Sequence, residues 1–93
     1  MKEITQEKIR KYLEITKKAL DTIYDMNKNI KNDKKAMEVI DMAERYFKDA
    51  NHYYEKGDYV TAFASVNYAH GWLDCGARLG LYRVPKDSGL FTE

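Results

Sequence analysis

Ninety-three residues, 44% apolar and 33% charged with one proline and five glycines, describe a single helical domain over 1–93 and exclude a disordered or low-complexity chain. Sixteen Lys and Arg against fifteen Asp and Glu leave a net charge of +1, which excludes a strong whole-molecule field for holding a polyanion. The lone Cys75 excludes an intrachain disulfide and any Cys-rich metal site. No run approaches the ~18 apolar residues of a membrane span, and MKEITQEKIRK lacks a signal-peptide core, so a soluble, cytoplasmic protein is expected.

The first helix is predicted from about residue 5 to 30. Thr5 is its N-cap, Glu7 stands in the positive first turn, and Ile4 and Ile9 are placed for a hydrophobic staple. Ile9, Thr16, Ile23 and Ile30 recur every seven residues, interleaved with Leu13, Leu20 and Asn27, which makes one narrow apolar seam. Around Asn27, Asn29, Asn32 and Asp33 this helix should fray, and Asn32 or Asp33 should cap the next. The second helix is predicted over about 34–56, ending at Gly57, which takes a left-handed C′ conformation readily. Asp58 caps a third over about 59–80, antiparallel to the second, and a tail over 81–93 carries Pro85.

Alanines recur at seven-residue intervals on both helices of that hairpin. In an antiparallel pair, facing residues have position numbers of constant sum, and Ala50 with Ala62, Ala43 with Ala69 and Ala36 with Gly76 all satisfy one value. Small rungs meeting small rungs let two helix axes approach to the low end of the usual ~8–10 Å. One side of such a hairpin stays open to water unless the first helix lies along it. The expected fold is therefore all-α, an antiparallel three-helix bundle with a C-terminal tail.

Ala50, Gly57-Asp58-Tyr59, Ala62 and Ala69, with Tyr46, Tyr53 and Tyr54, resemble one tetratricopeptide-type helix–turn–helix unit over about 43–76. A single copy implies hairpin geometry and no peptide groove. A second resemblance covers most of the chain. Tyr54 to Tyr59, Ala62-Phe63-Ala64, Tyr68 to Asp74, Gly76 to Leu81, Val84-Pro85 and Leu90-Phe91 are similar to the short archaeal proteins grouped as domain of unknown function 357. That resemblance implies a small three-helix bundle of archaeal origin with no assigned activity and no catalytic residues to transfer.

Candidate chemistry is sparse. His70 and Asp74 lie one turn apart beside Cys75, too few ligands for a metal, and His52 is on the order of 10 Å along the axis from His70. A His70–Asp74 hydrogen bond within one helix is the expected arrangement of this polar pair. Arg45 and His52 resemble the Arg–His spacing of helical ribonucleases of the higher-eukaryote-and-prokaryote nucleotide-binding class. Tyr46, however, follows the arginine where those enzymes favour a small polar residue. The basic residues of the first helix, Lys8, Arg10, Lys11, Lys17 and Lys18, are interleaved with Glu7, Glu14 and Asp21, as on a solvated, ion-paired face.

The third helix carries more apolar surface than a bundle helix needs. Beyond its core arc it has Ala64, Tyr68, Trp72, Cys75 and Leu79 on nearly the opposite side. Either the first helix or the tail covers that stripe, or it meets a partner. The expected function is a non-catalytic protein-interaction or structural module that acts through the third helix and the C-terminal tail. Its candidate surface is Tyr68, Trp72, Cys75 and Leu79, its partner another protein or a second copy, and no cofactor, metal, nucleic acid or membrane is expected. The alternative is an RNA-associated or nucleolytic protein using the basic first helix or the Arg45/His52 face.

Overall fold

The computed structural model describes residues 5–92. They form three α-helices, α1 (Gln6–Met26), α2 (Lys34–Glu55) and α3 (Tyr59–Arg78), with a 3-10 turn at Ile30–Asn32 and an ordered tail. This is the all-α, three-helix bundle expected from the periodicity. Thr5 caps α1, its hydroxyl oxygen accepting the Lys8 N–H at 3.1 Å; Ile4, its staple residue, lies outside the described residues. Asp33 caps α2 and Asp58 caps α3, accepting the N–H groups of Ala36 at 3.1 Å and Thr61 at 3.2 Å. Each bond satisfies a donor the helix itself leaves unpaired and contributes about 1 kcal/mol.

α1 stops at Met26 rather than near residue 30. Asn27 leaves helical geometry at φ −130° and ψ 74°, and its carboxamide turns to the tail. The side-chain N–H groups donate to the carbonyls of Ile23 at 2.8 Å and Arg83 at 2.9 Å, while Oδ1 accepts the Arg83 N–H at 2.9 Å. The seam outlasts the helix, because Ile30 beyond the break is still only 6% exposed.

α2 and α3 form the tightest pair, joined through Gly57 at φ +82°, and α1 packs more on α3 than on α2. Ala36, Ala43 and Ala50 on α2 and Ala62 and Ala69 on α3 have no exposed surface, as meshing small-residue ladders require. The last rung has a second cause. A Cβ on Gly76 would strike the ring and hydroxyl of Tyr82, which the tail inserts there. Tyr82 is 6% exposed and its hydroxyl donates to the Leu73 carbonyl at 2.7 Å.

Burial raises the Tyr82 pKa above its ordinary 10.0, with the charges of Cys75 and Asp74 acting in the same direction. The folded state therefore holds the neutral phenol. Its stabilisation is fully present below the unfolded value near 10 and is lost at higher pH, where the unfolded chain ionises first. Tyr24, raised by burial and by Glu44, adds the same sign. Above about pH 10 the parent should lose stability more steeply than Tyr82→Phe, by up to ~1.4 kcal/mol per pH unit. Urea denaturation of both proteins across that range is the check, and parallel curves would contradict it.

Candidate functional site

α3 is enclosed on two of its three sides. Ala62 and Ala69 face α2 and Gly76 meets Tyr82 of the tail, while Phe63, Val66 and His70 face α1 or the tail. The third side, carrying Val60, Ala64, Tyr68, Gly71, Cys75 and Leu79, points outward. Val60, Tyr68 and Leu79 are 69%, 52% and 68% exposed, and the Cys75 thiol is exposed beside them. Neither α1 nor the tail covers this stripe: they pack on the neighbouring flank of α3, at Phe63, Val66, His70 and Asp74, and border the stripe at Gly71.

Tyr68 is held by the ring of Tyr46, edge-on at 4.5 Å between centroids, and meets Trp72 edge-on at 6.2 Å. Trp72 departs from its expected place in the open. It is half-buried at the α2 margin, packs on the core, and its buried indole N–H has no acceptor among the described residues. Tyr68, Gly71, Trp72 and Cys75 line a hollow of about 260 Å³. Gly71 is exposed within the helix, with nothing inside 4 Å of where a Cβ would stand. The chain's own packing does not demand glycine there, yet glycine costs about 1 kcal/mol relative to alanine.

The expected hydrogen bond between His70 and Asp74 is not made. Nε2 of His70 is 3.9 Å from Asp74 but 2.6 Å from the Leu90 carbonyl, which only accepts, so Nε2 carries a proton. In the neutral ring Nδ1 then accepts the Thr16 hydroxyl at 2.9 Å, which satisfies a threonine only 1% exposed. Asp74 accepts both the N–H and the hydroxyl of Thr92, each at 2.9 Å. The two residues reach past one another to the tail, and Phe91 lies beside His70 with 8% of its surface exposed. Together they form a buckle. Removing the carboxylate in Asp74→Ala should cost about 1–2 kcal/mol and speed exchange of the Thr92 amide. Unchanged exchange by NMR would show that the buckle does not hold the tail.

The remaining candidates are dispersed. Arg45 pairs with Asp41 at 3.0 Å, and exposed His52 stacks edge-on with Tyr53. On α1, Lys17 pairs with Asp21 at 2.8 Å and Lys8 lies over the Phe63 ring. Among the described residues no group of three or more His, Cys, Asp or Glu is arranged to hold a metal ion, and no helix is long and apolar enough to cross a membrane. The arrangement is suited to apolar docking and hydrogen bonding. Sequence reasoning missed Val60 and Gly71. Val60 stands one four-residue step before Ala64, and Gly71 is a helix-interior glycine with no turn to make.

The family model described as "Protein of unknown function (DUF357)" matches residues 11–82. No curated protein and no solved structure matches the chain.

Proposed function

We propose a function for this chain, which belongs to the DUF357 family: it is a non-catalytic protein-interaction module of the reducing cytoplasm that docks a protein on the outward face of α3. The observation that carries the reading is the uncovered row of Val60, Tyr68 and Leu79, three of the four exposed large hydrophobic side chains among the described residues, on a single helix face. Rigidly held aromatic side chains such as Tyr68 are the usual anchors of protein interfaces, and exposed apolar side chains grouped on one face mark an interaction surface. The tail contributes by bracing α3 from its flank through Tyr82, His70 and Asp74. RNA binding or cleavage through α1 or Arg45 and His52 draws no comparable support, since Lys17 and Arg45 are already paired with carboxylates.

Cys75 provides the test. In dilute purified protein the exposed thiol should react with a maleimide as fast as a free peptide does. In native cell extract a docked partner should slow that reaction at least several-fold. Equal rates in the two settings, with no slowing as the purified chain is concentrated, would remove the reading.

A further inference from the structure

We infer that the partner on this face is a second copy of the chain, docked with its α3 antiparallel to the first about a two-fold axis between Tyr68 and Gly71. This rests on the reading of the outward face as a docking surface and names its occupant. Ala64, Tyr68, Gly71, Cys75 and Arg78 step by four, three, four and three along α3, the spacing of a seam between two helices. In an antiparallel pair facing residues again have position numbers of constant sum, and one value joins every exposed apolar residue of the face. It sets Val60 against Leu79, Ala64 against Cys75 and Tyr68 against Gly71. Val60 and Leu79, the most exposed large hydrophobic residues of the molecule as described, then cover one another.

Each copy supplies both a projection and its recess. Tyr68, propped by Tyr46, enters the partner hollow of about 260 Å³ above Gly71, where an added side chain would stand in the way. This gives the costly, internally unexplained glycine a purpose. Charge agrees with the same register. Arg78, on this face in the last turn of α3, has no ion pair among the described residues. In the pair it faces Thr61, next to Asp58, whose carboxylate opens the other α3. Two-fold symmetry repeats this Arg–Asp match at both ends, and the two helix dipoles run opposed.

Sedimentation velocity of the purified chain from about 1 µM upward should show a species of twice 10.9 kDa. Gly71→Leu should raise the dissociation constant at least roughly tenfold while leaving the thermal midpoint undiminished at dilutions where the parent is also monomeric, because the monomer has open space there. Ala64→Cys should oxidise to a covalent dimer joining residue 64 to native Cys75 of the other copy. The same two positions in one chain are about 16 Å apart along the helix and cannot close. The off-register Asn67→Cys should link far less. A 10.9 kDa monomer at every concentration, a dimer indifferent to Gly71→Leu, or equal linking from positions 64 and 67 overturns the inference. If the monomer's Cys75 is nevertheless shielded in extract, another protein occupies the face and only the self-pairing falls. If it is unshielded, the docking reading falls as well.

Discussion

Ala69→Leu is expected to lower the melting temperature by 10 °C or more, or to leave the chain without cooperative folding. Ala69 and its opposite rung Ala43 have no exposed surface, so three extra carbons have nowhere to go without separating α2 from α3. Overpacking of this kind costs about 1–3 kcal/mol or more. A small single-core domain often has only ~3–5 kcal/mol to lose, and at this size each kcal/mol shifts the midpoint by about 4–8 °C. Gly71→Leu, two residues along the same helix, adds bulk on the open side and, melted at dilutions where the chain is monomeric, is the internal control. Circular dichroism melts of both variants decide the matter. If Ala69→Leu melts within about 2 °C of the parent, the ladders do not mesh tightly.

Gly76→Ala should destabilise in the parent and stabilise once Tyr82 is truncated. In the parent, the new methyl collides with the Tyr82 ring and hydroxyl, so either the ring leaves or the helix shifts. Losing the ring exposes a residue now 6% accessible and breaks its bond to the Leu73 carbonyl, together about 2–4 kcal/mol. With Tyr82→Ala the obstacle is gone. Alanine then keeps only its helix preference over glycine, about 1 kcal/mol in the opposite direction. The coupling term of a double-mutant cycle by urea denaturation measures this change of sign. A cost at Gly76 that persists without Tyr82 would mean that α2, not the tail, is what the glycine accommodates.

The features legible in the sequence were local or periodic. Thr5, Asp33 and Asp58 cap by short-range chemistry, and the seven-residue repeats by themselves place Ile9, Ile23, Ala43 and Ala69 in the interior. The surplus stripe on α3 was legible by the same arithmetic, apart from Val60 and Gly71. The tail was not. Asn27 meets Arg83 across 56 positions and Thr16 meets His70 across 54, and no period links residues that a loop brings together. For the same reason Asn27 was readable only as a fraying helix end, and His70 and Asp74 as a pair one turn apart. Trp72 was misplaced outward because a helical wheel does not say how far α2 extends over the edge of α3.

The clasp between Asn27 and Arg83 implies an order of events during folding. Closing so long a loop is entropically slow, whereas the α2–α3 hairpin, joined by Gly57 and Asp58, draws on neighbours in the chain and should nucleate first. Substitutions at Ala43 or Ala69 should then retard the refolding limb of a stopped-flow chevron, and Asn27→Ala should mainly accelerate the unfolding limb.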